Sequence, residues 1–186
     1  MIEVRWVGRG GYGVVTVSDI LAKAAVIEGK YSQHIPMFGP ERAGAPVYAS
    51  TRISEEPIEL HSEVYSPDIA IIIDPRMSTE DTVIRNTGLK RDGTLLLNTK
   101  SIPSDVVEIV QENNYTLYYV DAYTIAMDIF KRPFYNTPML GALVKATGIV
   151  KLESILKVIE TRFKGKVVEM NIEAIKRAYE EVKKHE

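Results

Sequence analysis

A chain of 186 residues, 45% hydrophobic and 26% charged with a formal net charge of −2, can bury one proper core and shows no basic excess that would mark a nucleic-acid binder. It has no cysteine, which excludes disulfides, thiolate nucleophiles and any iron–sulfur cluster held by this chain, and which agrees with a reducing, cytoplasmic setting. The N-terminus enters a strand directly, so no leader is expected, and the longest apolar run, 69–73, is too short to span a bilayer.

Ile2, Val4 and Trp6 alternate toward four glycines, Gly8, Gly10, Gly11 and Gly13, and a helical apolar pattern then runs through Val14, Val17, Ile20, Leu21, Ala24, Ala25 and Ile27. The pattern predicts strand, tight turn and helix. Gly8 is assigned the turn, Gly10 a close approach of ligand or backbone, and Gly13 the packing of helix on strand. The free N–H groups at such a helix start suit a phosphate. The next strand, Tyr31–Met37, carries no acid, and Glu28 comes too early to hold a ribose, which speaks against NAD or FAD. The segment FGPERAGAP, 38–46, is neither helix nor strand, and its prolines and glycines bracket the pair Glu41–Arg42. Rigid residues around two charges point to recognition.

Val47–Ser54 reads as a strand, with Ile58–His61 as its hairpin partner or an irregular edge. Asp68–Asp74, Thr94–Leu97 and Thr116–Val120 are further strands, the first with a continuous apolar centre that expects cover on both faces. Helices are expected at Ser78–Gly88, Pro103–Asn113, Ala122–Phe130, Pro138–Thr147, Leu152–Phe163 and Ile172–Lys184. The alternation predicts an α/β fold: a mostly parallel, Rossmann-like sheet with helices on both faces and a C-terminal helical extension from about 135, all one domain over 1–186. Met139, Leu140, Leu143 and Val144 either cover the sheet or form a subunit contact.

No complete active site assembles from these parts. Asp74, Asn98-Thr99 and Asp121 fall at strand ends, where turn and cap roles are common. His34, His61 and His185 are dispersed, and GKS/T, HExxH and GxSxG are all missing.

GRGGYG at 8–13, PMFGPERAGAPVYASTRIS at 36–54, EPI at 56–58 and NTPMLGAL at 136–143 resemble, in matching order over about 2–148, the gamma subunit of 2-oxoacid:ferredoxin oxidoreductases, the pyruvate-acting members (pyruvate synthase) above all. Tyr12 stands where the family often has Gln, and Ala43 where Arg or Gly often follows Glu-Arg. The resemblance implies one subunit of a hetero-oligomeric enzyme that converts a 2-oxoacid and coenzyme A to acyl-CoA and CO2 and reduces ferredoxin. It places thiamine diphosphate and the iron–sulfur clusters on partner subunits of alpha, beta and delta type. It gives this chain assembly and coenzyme A positioning, with no catalytic residue and no metal of its own. Gly8, Gly10, Gly11, Gly13, Glu41 and Arg42 are the expected contact residues. Two other readings stay open, a stand-alone NAD(P)-binding oxidoreductase and a non-catalytic regulatory module.

Overall fold

The computed structural model describes residues 1–37 and 46–186. In chain order it contains β1 (Ile2–Arg9), α1 (Val14–Ile27), β2 (Tyr31–Met37), β3 (Pro46–Ser54), β4 (Ile69–Ile72), a 3-10 turn (Met77–Thr79), α2 (Asp81–Arg85), β5 (Thr94–Asn98), α3 (Ser104–Asn113), β6 (Thr116–Val120), α4 (Ala122–Phe130), α5 (Asn136–Thr147), α6 (Leu152–Arg162), α7 (Lys166–Glu181) and β7 (Lys183–Lys184). The strands form one sheet in the order β2-β3-β1-β4-β5-β6-β7. Its centre, β1-β4-β5-β6, is parallel.

The edges depart from the parallel pattern. β3 runs antiparallel to β1 and to β2, and β7 runs antiparallel to β6. The reason is connection length: a parallel neighbour needs a crossover of a dozen or more residues, and only 38–45 separate β2 from β3. Two reversals leave β2 pointing the same way as β1. Met37 pairs with Tyr48, Tyr48 with Val7 and Pro46 with Arg9, so the described residues on either side of 38–45 stand at the carboxyl end of β1.

The pleat divides the core in two. Val4, Trp6, Ile69, Ile71, Leu96 and Val120 face α1 and α4–α7, while Val7, Ala70, Ile72, Leu95, Leu97 and Leu117 face α2 and α3. The helices from 136 onward share the first of these clusters with α1 and the sheet. Met139, Leu140, Leu143 and Val144 are buried inside this chain, so they cover the sheet and are not available as a subunit contact.

Two other expectations change in detail. The helix expected over 78–88 splits at Glu80, whose backbone is extended (φ −96°, ψ 114°). The Ser78 hydroxyl donates into the carbonyl ends of the sheet at Ile72 and Asp74. Residues 58–61 form no strand. The 55–68 stretch is fastened by two buried arginines: Arg52 donates to the carbonyls of Ser62 (2.8 Å) and Glu63 (3.1 Å), and Arg5 to those of Thr87 (2.8 Å) and Val64. Those carbonyls have no ladder to join, and the guanidiniums take its place.

Candidate functional site at the glycine loop

The site begins where β1 ends. The glycines divide the work differently from the sequence reading. Gly8 is buried, and a Cβ there would stand 2.7 Å from Val14 Cγ2 and 3.6 Å from Ile73 Cβ, so Gly8 permits the packing of helix on sheet. Gly11 (φ +88°) and Gly13 (φ +70°) make the turn, because L side chains rarely adopt such angles. Gly13 is also pressed against the Asn136 side chain at the start of α5. Gly10 has neither constraint among the described residues: its φ lies outside the left-handed range, and a Cβ would meet none of their atoms within 4 Å. Of the four, it is the one whose bareness the described residues do not require.

Behind the loop, α1 starts at Val14 with Gly13 as its cap; among the described residues no side chain accepts from the first turn, and that turn holds no acid. Val17 N–H donates to Gly13 O, and the amides before it lack an intrahelical acceptor. The partial positive charge of this helix end is therefore unneutralised by the helix itself. Arg9 stands beside it, with the carboxylates of Asp74 and Glu80 facing its guanidinium. Its Nε lies 3.3 Å from Asp74 Oδ2, off the line of a hydrogen bond, and its guanidinium remains partly exposed.

The neighbouring polar residues are committed to structure. Asp74 Oδ1 accepts from the amides of Arg76 (2.8 Å) and Met77 (3.1 Å). Asn98 Nδ2 donates to Ile73 O at 2.8 Å, and its Oδ1 accepts from Tyr123 N–H at 3.2 Å. Asp121 caps α4 through Thr124 N–H at 3.0 Å. Thr99 donates to Ser101 O. All four are turn, cap or bracing residues, with no acid–base pair among them.

An aromatic stack that no sequence pattern announces flanks the loop. The rings of Tyr12 and Tyr135 lie 5.2 Å apart, and those of Tyr135 and Tyr123 lie 6.0 Å apart. Burial, with the Tyr12 hydroxyl adding to it, pushes the Tyr135 phenol well above the usual tyrosine range, so it stays neutral. Tyr12 is thus held by its ring. Its partner lies 123 residues away along the chain, beyond the reach of any local signal.

His34 lies away from this rim, facing α1. Its Nδ1 is 2.9 Å from Ser18 Oγ, within a buried group that includes Thr51, whose Oγ1 accepts from Trp6 Nε1. Ser18 has no solvent exposure, so the pair is a packing feature and not a nucleophile. Among the described residues no cluster of three or more His, Asp or Glu is placed to hold a metal ion, and no helix is long and apolar enough to cross a membrane. Glu41 and Arg42 lie outside the described residues.

The family model described as "Pyruvate ferredoxin/flavodoxin oxidoreductase" matches residues 3–181. A relative from Pyrococcus abyssi, "Pyruvate/ketoisovalerate oxidoreductases common subunit gamma", is 47% identical over 180 residues, covering 97% of this chain and 96% of its own length. The crystal structure of a pyruvate oxidoreductase subunit from Thermotoga maritima superposes with a TM-score of 0.83 at 42% identity, over 100% of this chain and 98% of that one. A 2-oxoglutarate:ferredoxin oxidoreductase from Magnetococcus marinus, solved with 2-oxoglutarate, coenzyme A and succinyl-CoA, shares the fold at a TM-score of 0.77 and 18% identity. The match covers 95% of this chain and 30% of that one. In that protein the same fold forms part of a much longer chain.

Proposed function

The chain belongs to the pyruvate ferredoxin/flavodoxin oxidoreductase family as a gamma-type subunit of a multi-subunit 2-oxoacid oxidoreductase, and we propose that within this enzyme it positions coenzyme A. The observation that carries the coenzyme A reading is Gly10, exposed and unobstructed among the described residues, beside a helix start whose cap residue has no side chain. A phosphate-bearing ligand that approaches the backbone there meets free amides and a positive helix end, which fits coenzyme A. When bound, coenzyme A supplies the thiol that receives the acyl group. This chain's residues do the holding: the amides of Gly10, Gly11 and Gly13, and Arg42 as a planar, permanently charged fork, while the Tyr12 amide closes the turn onto Arg9 O. Glu41 orients Arg42 or meets a neighbouring subunit, since a carboxylate aimed at a phosphate would repel it.

The reaction centres are assigned to other chains. A chain without cysteine offers no thiolate cluster ligand, and among the described residues the rim carboxylates Asp74 and Asp121 are taken up by backbone amides and form no acid–base pair. Alpha, beta and delta-type subunits, carrying thiamine diphosphate and iron–sulfur clusters, are proposed to complete the enzyme and pass electrons to ferredoxin, with pyruvate as the preferred oxoacid. In the assembled enzyme, Arg42→Ala is expected to raise KM for coenzyme A about tenfold, from losing a charge-assisted contact of about 1.5–3 kcal/mol. Oxoacid decarboxylation measured without coenzyme A should be unaffected. Unchanged coenzyme A dependence together with dissociated subunits would make 38–46 an assembly element instead.

A further inference from the structure

The segment expected to meet other subunits, 136–144, is core, but the residues just before it are not. On α4, Tyr123, Met127 and Phe130 recur at i, i+4 and i+7 and so form one stripe beside the buried Ala122, Ile125 and Ala126; Tyr123 is exposed, whereas Met127 and Phe130 are half-buried, with Phe130 resting against the core. Tyr123 is 44% exposed and Phe134, in the turn that follows, 46%. The Phe130 and Phe134 rings meet edge-on with centroids 6.0 Å apart, which joins the helix and the turn into one aromatic corner.

That corner is preorganised. Lys131 ends α4 in the left-handed conformation (φ +56°), Phe134 N–H donates to Arg132 O at 2.8 Å, Pro133 fixes the backbone between them, and the adjoining Tyr135 is anchored beneath Tyr12 and Tyr123. Aromatic side chains already held in place lose little freedom on binding. Its charge is one-sided. Lys131 and Arg132 are exposed and form no ion pair among the described residues, whereas the nearby Asp128 is occupied by Arg177 at 2.8 Å. Aromatic anchors with methionine and arginine are what the centres of protein interfaces are enriched in, and unmatched cations at the edge steer an acidic partner.

We infer that the aromatic and basic corner of Tyr123, Met127, Phe130, Lys131, Arg132 and Phe134 docks an acidic surface of a catalytic subunit of the same enzyme. The inference rests on the subunit reading above. A second copy of this chain is the poorer occupant, because a two-fold interface buries the same patch on both copies and so brings two corners carrying the same unmatched cations together. The contact chain Tyr123–Tyr135–Tyr12 runs from this corner to the glycine loop, so the docked subunit sits next to the rim where coenzyme A is placed.

The test uses the assembled enzyme with Phe134→p-benzoylphenylalanine in this chain. Irradiation is expected to join it to a partner subunit; an adduct to a second copy of this chain would overturn the inference. In parallel, the double variant Lys131→Glu/Arg132→Glu is expected to weaken assembly at least tenfold and flatten its salt dependence, with an unchanged thermal melt of the chain alone. Tyr65→Ala, 70% exposed ahead of the amino end of β4, serves as the control and should assemble normally. Charge-reversed chains that assemble like wild type would also overturn it. If the wild-type chain fails to join those subunits at all, the subunit reading fails first, and this inference with it.

Discussion

Gly141→Ala isolates the contact on which the helical layer depends. In an exposed helix the change would be stabilising by about 1 kcal/mol, because alanine is the better helix former. Here the added Cβ would stand 2.8 Å from the Ile175 carbonyl carbon and 3.1 Å from its Cα, with the carbonyl oxygen closer still. Ordinary contact begins near 3.4 Å, so α7 must retreat by at least about 0.6 Å, and a backbone carbonyl cannot swing aside as a side chain would. The retreat loosens Ala174, Ile175 and Ala178 against a wholly buried stretch of α5. Overpacking of this kind costs about 3 kcal/mol at the upper end of its usual range. Against the propensity gain, the net is about 2 kcal/mol, or a fall in Tm of about 4–8 °C for a chain of this length. Thermal unfolding followed by circular dichroism measures it. Gly148→Ala (φ +61°, nothing within 4 Å) is the comparison, paying only the left-handed strain of about 1–2 kcal/mol. A Gly141→Ala chain that melts at or above the wild-type temperature would refute the close approach of α5 and α7.

Arg52→Met should cost about 3–5 kcal/mol in urea unfolding, because it strands Glu3 and the carbonyls of Ser62 and Glu63. Limited proteolysis of that variant should cut first within 55–68. His34 has its pKa held below 6.5 by burial, with Asp19 opposing the shift and Lys23 and Arg162 reinforcing it. The unfolded chain therefore binds the proton first, so the stability from neutral His34 is complete above pH 6.5 and is lost as the pH falls through the lower folded value. Urea midpoints at pH 7.5 and 5.5 should differ in wild type and converge in His34→Gln; equal convergence in both proteins would remove His34 as the cause.

The sequence made the parallel centre of the fold readable because each buried strand is a short apolar run set between helical patterns. Asp68–Asp74 and Thr94–Leu97 needed no tertiary information. The edges were less legible. Apolar pattern marks β2 and β3 as strands but leaves their direction open, so the antiparallel pairing is not readable from it. The bracing by Arg5 and Arg52 was hidden because an arginine in an alternating strand reads as solvent-facing until Glu3 is seen opposite Arg52 across the ladder. The sequence pattern starts α7 six residues late because, of the pair Val167-Val168, only Val168 rests on the core while Val167 stays exposed, which leaves the first turn without an apolar stripe. At the site, the four glycines were found from spacing, yet the roles of Gly8 and Gly13 changed once Val14, Ile73 and Asn136 were in place around them. The Tyr12–Tyr135–Tyr123 stack joins distant segments and left no trace in any local pattern.

The most direct test of coenzyme A positioning is a calorimetric titration of coenzyme A into the assembled enzyme carrying Gly10→Val. The position is exposed, its φ lies outside the left-handed range, and no atom of the described residues stands within 4 Å of the added carbon, so folding and assembly should be nearly unchanged, within about 0.5 kcal/mol apart from a small β-branched loop effect. A side chain projecting where the ligand meets the backbone is expected to weaken coenzyme A binding at least tenfold. Wild-type affinity in a correctly assembled Gly10→Val enzyme would place the coenzyme elsewhere and contradict the role given to this loop.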